Sequence, residues 1–392
     1  MTSESRKDPN PSQDRARVAV DLTAFGEGGV SGGLKPFVFH LLQWIARERA
    51  DEFAFVYFTR PPLVPEVEAF RRDADWQVCV GLPQARGARA GLAWAADAEA
   101  HWTGAWPADL LYSPWGLSGF HRPEIPLVSL AADTLHRDWP GLLPGDEVVR
   151  REEWFQRMVQ RAAAVQCNSE FVRRQLQSHF GAPSAKLFVV LNSIQDDILG
   201  ASGRARTAAP MRSYFLYPAN DWPHKNHDRL LAAYSDYRRK EGDGAWDLVL
   251  TGHFARAGAW LPRLETLGIS GSCRVMGHLG REEFAGVFRN AGALVFPSLY
   301  EGFGIPVLEA MALGVPVTCG NLASVPEVAG DAALYFDPRR TADIAAAMSR
   351  ITSEAGLRKR LARAGLERAK GFSISREAGL LADKFASLAL RR

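Results

Sequence analysis

The segment FPSLYEGFGIPVLEAMALGVPV, residues 296–317, decides how this sequence is read. An apolar strand pattern ends at Ser298, a short loop with two glycines follows, and an apolar helical pattern begins at Ile305. Pro306 suits the first turn of a helix, where a missing N–H loses no partner, and Gly314 ends the helix. The segment therefore predicts a strand, a tight turn and a helix N-terminus, whose free N–H groups bind phosphate.

Two glutamates stand eight positions apart in this segment, Glu301 in the loop and Glu309 in the helix. Glu309 is placed to accept hydrogen bonds from two hydroxyls, such as those of a ribose. Glu301 would project to the other side of the phosphates, and Gly302 and Gly304 let the backbone approach the ligand closely. The alternative is that Glu309 only complements the helix dipole and that Glu301 is solvated.

Length and composition set the class of protein. The chain has 392 residues, which is more than one core usually holds, so two domains are expected. Hydrophobic residues make up 47% and charged residues 23%, which is typical of a soluble globular protein. The net charge of +3 is too small to indicate a nucleic-acid partner. A local basic patch that contacts an anionic membrane peripherally remains an open alternative.

Cysteine usage and the N-terminus point to the cytoplasm. The four cysteines are far apart and form no CxxC pair, so neither a zinc site nor a disulfide framework is predicted. Residues 1–14 are polar and predict a disordered tail rather than a signal peptide. The sequence contains no run of 18 apolar residues, so no transmembrane helix is predicted.

Strand and helix patterns alternate in both halves of the chain. The apolar stretch at 16–25, the loop GEGGVSGG and the helical pattern after it predict the opening of a nucleotide-binding α/β unit. This alternation predicts two parallel, doubly wound sheets. The predicted fold is therefore α/β, with two Rossmann-like domains. We predict a tail at 1–14, a first, acceptor-binding domain at 15–200, a linker at 201–213, a second, donor-binding domain at 214–370 and a helix at 371–392 that crosses back to the first domain.

Individual elements are predicted from the same patterns. One helix is expected at 147–163, and another is capped by Ser169 and ends at Gly181. The stretch GARAGLAWAADAEAHW, 87–102, predicts a helix, either amphipathic at an acceptor or membrane surface or facing the core. The predicted strands are 16–25, 53–59, 76–80, 109–113, 126–131, 164–169, 186–192, 214–218, 247–251, 273–276, 293–297, 315–319 and 333–336.

The glutamate segment resembles the E-x7-E signature of retaining glycosyltransferases of family 4, which have the GT-B fold. GNLASVPEVAGDAALYFDP (320–338) and YPANDWPHKNHDRLLAAY (217–234) resemble that family too, as do LTGHF and VMGHLGREEFAGVFRNAGALVFPS. The resemblance is strong over 214–340 and weaker over 16–200, where GGVSGG and NSEF match best. It implies two Rossmann-like domains that face a central cleft.

The resemblance also implies residue roles. Glu309 would bind the donor ribose, Lys225 would hold the diphosphate, and Glu301 would contact the donor sugar. The other donor-binding residues implied are Gly302, Phe303 and Gly304 of the loop, Gly252, Met276 beside the base, and Gly32 and Gly33 of the glycine loop. For the glycine loop, the alternative is an ordinary turn.

The chain departs from the family pattern at two places. Asn220 stands where many members carry an arginine that helps to neutralise the diphosphate. Ala132 stands where many carry a reaction-centre histidine, although Asp133 fits the aspartate that follows it. His136 lies three residues beyond Asp133 and could take over part of the missing role, or could be structural.

These observations predict a retaining glycosyltransferase that moves a hexose from GDP-mannose or a UDP-sugar to a saccharide or lipid-linked acceptor. The family mechanism is front-face attack, in which catalysis is mainly positioning and stabilisation of the leaving diphosphate. No metal or other cofactor is expected, and the DAD at 73–75 is interpreted as solvated surface. The alternatives are a nucleotide-sugar epimerase and a degenerate protein that binds nucleotide or a partner without transfer.

Overall fold

The computed structural model describes residues 15–26, 33–73, 75–80, 92–95, 108–194, 213–254 and 257–389. The predicted tail at 1–14, Gly32 in the glycine loop and nearly all of the predicted linker lie outside these residues.

The first half of the described chain forms one parallel sheet. Its order is given by the strand numbers 4-3-2-1-5-6-7-8. The central strands are buried, because apolar runs such as FAFVYFT at 53–59 have helices or loops over both faces. The strands are β1 (Ala16–Asp21), β2 (Phe53–Thr59), β3 (Trp76–Val80), β4 (Leu92–Ala95), β5 (Leu110–Ser113), β6 (Leu127–Ala131), β7 (Ala164–Cys167) and β8 (Leu187–Val189).

The second half forms a separate parallel sheet, whose strand order is 11-10-9-12-13-14. Together the two sheets confirm the predicted α/β fold with two Rossmann-like halves. The strands are β9 (Tyr214–Pro218), β10 (Asp247–Thr251), β11 (Cys273–Gly277), β12 (Ala293–Phe296), β13 (Val317–Gly320) and β14 (Ala333–Phe336), each within two residues of its predicted ends.

Helices make most of the crossovers that parallel strands require. The predicted Ser169 cap is confirmed, since its hydroxyl accepts a hydrogen bond from the N–H of Val172, and Gly181 follows the helix at φ +60°. The helices are α1 (Leu34–Glu48), α2 (Val64–Glu68), α3 (Leu135–Asp138), α4 (Gly145–Arg161), α5 (Glu170–Phe180), α6 (His227–Glu241), α7 (Ala257–Thr266), α8 (Arg281–Arg289), α9 (Ile305–Ala312), α10 (Val325–Ala329), α11 (Thr341–Ser353), α12 (Ala355–Ala369) and α13 (Ile374–Ala389).

The first strand is shorter than predicted and ends at Asp21 instead of residue 25. The Asp21 carboxylate accepts hydrogen bonds from the N–H and the hydroxyl of Thr23, at 3.0 and 2.6 Å. An aspartate that binds the chain two residues on turns the backbone away from the strand. The loop toward the cleft therefore begins earlier than hydrophobicity alone indicates.

The prediction of a helix at 87–102 is wrong at its centre. Residues Leu92–Ala95 form β4, which pairs in parallel with β3, and the rest of the segment lies outside the described residues. A four-residue apolar run is compatible with either structure, and the open edge of β3 supplies the hydrogen bonds that favour a strand.

The interpretation of the DAD at 73–75 as solvated surface is also wrong for Asp75. This side chain is buried, accepts a hydrogen bond from the N–H of Phe55 at 3.0 Å and pairs with Arg72 at 2.8 Å. Asp75 thus closes the amino end of the first sheet, because a buried carboxylate needs such partners.

The C-terminal helix α13 packs on the first half of the chain, against α1. The Phe385 ring lies 6.2 Å from that of Phe53 and 5.2 Å from that of Tyr112, between ring centroids. Glu377 accepts a hydrogen bond from the N–H of Leu191 at 2.7 Å, just beyond β8. The last helix therefore belongs to the core of the first sheet, far from its neighbours in sequence.

The four cysteines are free thiols and all are buried. Burial raises the pKa of Cys167 to about 12, so that this thiol stays protonated at neutral pH. Among the helices of the described residues, none combines the length and apolar character needed to cross a membrane.

Candidate active site

The second sheet has its topological switch point between β9 and β12, from which the chain proceeds toward opposite edges. Ligands of such sheets bind in the crevice beyond the carboxyl ends of these strands. The loop after β9 carries Lys225, and the loop after β12 carries Glu301. The two predicted residues thus lie at the position that the topology favours for a ligand.

Lys225 and Glu301 form a close ion pair. The Nζ atom of Lys225 donates to both carboxylate oxygens of Glu301, at 2.7 and 2.9 Å. The side chains are only 14% and 11% exposed, respectively, so the pair is shielded from most of the solvent. A shielded pair is rigid, and it places a cation and a carboxylate together at the mouth of the switch point.

The loop around Glu301 is held from several sides. Ser324 Oγ lies 2.9 Å from the carbonyl oxygens of both Glu301 and Phe303, and the N–H of Leu299 donates to the carbonyl of His224 at 2.8 Å. Gly304 has φ +103°, a conformation in which a side chain would be strained. These contacts determine the path of the chain into α9.

Glu309 is the fifth residue of α9, and only 9% of its surface is exposed. The helix begins directly after Gly304, and Pro306 lies in its first turn, as predicted. The positive end of the α9 dipole and the carboxylate of Glu309 are therefore carried by one short helix beside the Lys225–Glu301 pair.

Asn220 joins the loops that follow β9 and β10. Its side-chain oxygen accepts a hydrogen bond from the N–H of His253 at 2.9 Å. Gly252 has φ +140°, and a Cβ there would lie 2.5 Å from the carbonyl oxygen of Ala219. Asn220 therefore joins the two loops through an uncharged side chain. It supplies none of the positive charge of the arginine that many family members carry at this position.

The predicted base-binding region lies on the same edge of the sheet. Met276 is half-buried in β11, and His278 follows this strand. The rings of His253 and His278 are stacked, with centroids 4.3 Å apart and planes at 16°. Burial lowers the pKa of His278, and the neighbouring His253 lowers it further.

The two histidines that flank Lys225, His224 and His227, lie where their rings remain uncharged. His227 is buried, and its ring packs near Tyr217, Phe254 and Trp260. Burial lowers its pKa to about 4, and it lowers that of His224 to about 2. Both side chains are therefore neutral at pH 7 and cannot replace the missing arginine as cations.

The first domain reaches the glutamate loop directly. A Cβ on Gly302 would lie 1.8 Å from the carbonyl oxygen of Ala132, at the carboxyl end of β6. The Ser169 hydroxyl donates to the carbonyl of Gly302 at 2.7 Å, and the N–H of Thr134 donates to the Tyr300 hydroxyl at 3.1 Å. The two halves therefore meet at the loop that carries Glu301.

A second contact joins the halves beside this loop. The two carboxylate oxygens of Glu327, in α10, accept hydrogen bonds from the N–H groups of Glu170 and Phe171, at 2.7 and 2.9 Å. These are free N–H groups at the start of α5, where a carboxylate is favoured by the helix dipole. Glu327 thus caps a helix of the opposite domain.

With this geometry established, the chain can be compared with known proteins. It matches the family described as Glycosyltransferase Family 4 over residues 31–197, and the family described as Glycosyl transferases group 1 over residues 204–368. The chain belongs to the family 4 glycosyltransferases. The resemblance noted in the sequence is thereby confirmed.

Relatives of this glycosyltransferase include the O-antigen chain mannosyltransferase B of Escherichia coli. The two are 30% identical over 255 residues, which is 60% of this chain and 63% of that protein, so the match spans less than two thirds of the relative. The D-inositol 3-phosphate glycosyltransferase of Streptomyces bingchenggensis (strain BCW-1) is 26% identical over 387 residues, 91% of this chain and 85% of that protein.

A solved structure is similar over the whole fold. The crystal structure of Anabaena Alr3699/HepE in complex with UDP and glucose has a TM-score of 0.67 at 14% sequence identity. The match covers 95% of this glycosyltransferase and 100% of that chain. At this identity the comparison concerns the fold alone.

His136 does not have the position that the sequence suggested for it. Its side chain is completely buried, and its ring packs between those of Phe155 and Phe180, with centroids 4.9 and 5.9 Å away. Burial lowers its pKa, and neither ring nitrogen has a hydrogen-bond partner among the described residues. The idea that His136 replaces the missing histidine in this glycosyltransferase is therefore wrong, because α3 turns the ring into the core.

Asp133 remains at the cleft. Its side chain is 35% exposed, accepts a hydrogen bond from the N–H of Leu135 at 3.0 Å and lies 3.4 Å from the Arg151 guanidinium. Ala132, immediately before it, touches the glutamate loop. Asp133 is thus the side chain of this segment that can meet a substrate.

The start of α1 also lies against the second domain. A Cβ on Gly33 would lie 2.4 Å from Cδ1 of Ile305, the first residue of α9. The end of the glycine loop is therefore next to the helix that carries Glu309. Gly32, the other predicted residue of this loop, lies outside the described residues.

Sequence reasoning missed three residues that join the two domains, Ser169, Tyr300 and Glu327, and it missed Ser324, which holds the glutamate loop within the second domain. Ser169 was recognised only as a helix cap, and the other three lie in segments that resemble the family without an assigned role. Each acts through a partner far away in the sequence, and spacing carries no signal for such a pair. Within the described residues, no cluster of three His, Cys, Asp or Glu side chains is arranged to hold a metal ion.

Proposed function

We propose that this chain is a retaining glycosyltransferase that moves a hexose from a nucleotide diphosphate sugar to a saccharide or lipid-linked acceptor. The observation that carries the proposal is the Lys225–Glu301 pair at the switch point, next to the α9 N-terminus and Glu309. A cation, the positive end of a helix dipole and a hydroxyl-binding carboxylate match the diphosphate and the ribose of one ligand.

The donor would lie along these groups in order. The ribose hydroxyls would bind Glu309, the diphosphate would lie between Lys225 and the α9 N-terminus, and the sugar would face Glu301. Lys225 would exchange part of its contact with Glu301 for the phosphate oxygens. The freed carboxylate oxygens of Glu301 would then accept hydrogen bonds from hydroxyls of the donor sugar.

The chemical step would depend mainly on positioning and charge. The acceptor hydroxyl attacks the anomeric carbon on the face that the diphosphate leaves, and the leaving phosphate oxygen takes the hydroxyl proton. Lys225 and the α9 N-terminus stabilise the charge that develops on this oxygen, and preorganised groups of this kind make a large contribution to catalysis. We propose that no metal takes part in this step.

GDP-mannose is the donor that we expect, with a UDP-sugar as the alternative. Among the relatives, the O-antigen chain mannosyltransferase B supports mannose, whereas the HepE complex holds UDP and glucose. The relatives from O-antigen synthesis also support a surface polysaccharide as the product.

Thermal stability against a panel of nucleotides tests the proposal. GDP, UDP, GDP-mannose and UDP-glucose are added to the wild type, to Glu309→Gln and to Glu282→Gln, a control at an exposed glutamate of α8. A ligand that binds only the folded protein raises the melting temperature. We expect one base to stabilise the wild type and the control but not Glu309→Gln, and stabilisation by none of them would contradict the proposal.

A further inference from the structure

The first sheet has a switch point of its own, between β1 and β5. The loops that follow these strands, at 22–26 and 114–120, lie at its carboxyl edge. This crevice is the counterpart of the one that holds Lys225 and Glu301. Glu309, Lys225 and Glu301, which are proposed to bind the donor's ribose, diphosphate and sugar, all lie in the second domain and outside these loops.

Two tryptophans are exposed at this edge. Trp115, just after β5, is 43% exposed, and Trp154, in α4, is 38% exposed. The Trp115 ring is held against the buried Phe25 with centroids 5.7 Å apart and planes at 80°. Tryptophan is usually well buried, so two neighbouring exposed rings call for a functional explanation.

The backbone between the two rings is shaped to bring them together. Gly116 has φ +88°, and a Cβ there would lie 2.5 Å from Nε1 of Trp154. The Trp154 indole thus rests on the loop next to Trp115. Among the described residues, no group accepts a hydrogen bond from its N–H. We call Trp115, Gly116 and Trp154 the tryptophan platform.

The platform continues to the contact between the domains. Arg151 precedes Trp154 by three residues, so it lies on the same face of α4. Its guanidinium contacts Asp133 at 3.4 Å, and Ala132 touches Gly302 of the glutamate loop. A ligand that covers the platform would therefore extend toward the position proposed for the donor sugar.

We propose that the tryptophan platform binds the terminal sugar ring of the acceptor. This inference rests on the proposed transferase function and adds the acceptor side of the same site. The C–H face of a pyranose is apolar and stacks on an indole, while its hydroxyls can accept from Trp154 Nε1 and donate to the Asp133 carboxylate. Arg151 is a positioning residue that holds Asp133 beside the platform.

Two of the four arginines of α4 are neutralised by ion pairs, which favours a neutral sugar over an anionic lipid surface. Arg151 is paired with Glu147 at 2.7 Å, and Arg157 with Glu153 at 3.4 Å. Paired arginines offer little attraction to a charged membrane, which is recognised by clusters of uncompensated basic residues. The platform also lies on the cleft side of the first domain, where an acceptor must approach.

Saturation-transfer NMR tests the platform directly. The probes are methyl α-mannoside, methyl α-glucoside and methyl α-N-acetylglucosaminide, titrated up to about 10 mM without nucleotide. The proteins are the wild type, Trp115→Ala, Trp154→Phe and the control Leu380→Ala. Leu380 lies on α13 and is 43% exposed, as is Trp115. Circular dichroism and melting temperature confirm that each variant is folded.

We expect at least one glycoside to bind the wild type and Leu380→Ala equally. Trp115→Ala should weaken this binding about tenfold, and Trp154→Phe, which keeps a ring but loses the N–H, by a smaller factor. Lack of binding by the wild type, or equal binding by wild type and Trp115→Ala, would overturn the proposal.

Sedimentation with vesicles of phosphatidylglycerol and phosphatidylethanolamine separates a lipid from a sugar. If Trp115→Ala lost vesicle binding but kept glycoside binding, the platform would be a membrane contact and the proposal would be wrong. The nucleotide-induced melting shift, measured on the same variants, tests the transferase function separately. Platform-dependent glycoside binding without any nucleotide shift would support the platform and reject only the transfer reaction.

Discussion

The carbonyl oxygen of Ala132 occupies the place where a side chain on Gly302 would begin, 1.8 Å from the calculated Cβ position. The first residue directly follows a strand of one domain, and the second lies next to Glu301 in the other. A glycine is therefore required for the domains to meet as they do. The contact places the first domain directly against the loop that carries a proposed catalytic residue.

Replacing Gly302 by alanine should prevent this close approach. Gly302 does not have a positive φ, so alanine fits its backbone, and each domain should fold normally. We expect kcat to fall about 100-fold, because a displacement of roughly 1 Å at a reacting centre has effects of this size. Steady-state kinetics with a measured donor affinity would show this, and the nucleotide affinity should change little.

Gly271→Ala is the matched control, since no atom lies within 4 Å of a Cβ at this position in the same domain. It should have wild-type kinetics. Wild-type turnover by Gly302→Ala would show that the contact with Ala132 is not needed for transfer.

Removing the Lys225 cation should impair transfer strongly. Lys225→Met should lower kcat by on the order of 100-fold to 1000-fold, the range seen when a group that stabilises developing negative charge is lost. It also leaves Glu301 shielded and unpaired, which should cost about 3 kcal/mol of unfolding free energy. Kinetics and chemical denaturation measure the two effects.

A double variant separates these effects. Lys225→Met combined with Glu301→Gln should recover much of the stability but not the activity. Arg72→Met is a control, because it leaves Asp75 buried at the amino end of the first sheet. It should lower stability without changing kcat, and a comparable loss of kcat there would weaken the interpretation of Lys225.

Glu327 should stabilise the closed arrangement of the domains. Glu327→Gln removes the charge that caps α5 across the interface and should weaken the contact by about 1 kcal/mol. Small-angle X-ray scattering should then show a larger radius of gyration than for the wild type. Glu282→Gln, at the exposed start of α8, should scatter as the wild type does, and an unchanged radius for Glu327→Gln would contradict the capping role.

The buried His227 should make stability depend on pH. Burial lowers its pKa to about 4 in the folded protein, whereas the unfolded chain titrates near the ordinary value of about 6.5. Between these values only the unfolded chain binds the proton, so the unfolding free energy decreases as the pH falls. From pH 7 to 5 the wild type should lose about 2 kcal/mol more than His227→Phe, measured by chemical denaturation. Parallel pH profiles for the two proteins would refute this assignment.

The proposed reaction should not require a divalent metal. Lys225 and the α9 N-terminus already supply positive charge at the diphosphate. We expect the rate of transfer to change less than about twofold after treatment with EDTA. A large loss that Mg²⁺ or Mn²⁺ restores would show that a metal shares this role.

The second domain was predictable to a large extent, and the reason is physical. Its strands are apolar runs with short connections, so local hydrophobicity specifies them almost residue by residue. Lys225 and Glu301 were named in advance because their segments resemble the family, and each follows a predicted strand whose carboxyl end lies at the ligand-binding edge of a parallel sheet. That the two side chains bind each other could not be inferred from spacing.

The first domain was less predictable. β4 was mistaken for part of a helix because its four residues have no periodicity of their own, and pairing with β3 determines their structure. His136 was considered for the reaction centre because it follows a strand, but the short helix α3 turns it toward Phe155 and Phe180. In both cases a contact that is distant in the sequence overrode the local pattern.

The sequence by itself determined the α/β class, the two parallel sheets and the segment that carries both glutamates, because these depend on the order of apolar and turn residues along the chain. The tertiary structure alone decided which groups meet: Ala132 with Gly302, Glu327 with α5, and Gly116 with Trp154. Such contacts depend on how two separately folded domains and their loops pack together. Packing is a property of shapes in space, and the spacing of residues along a chain does not encode it.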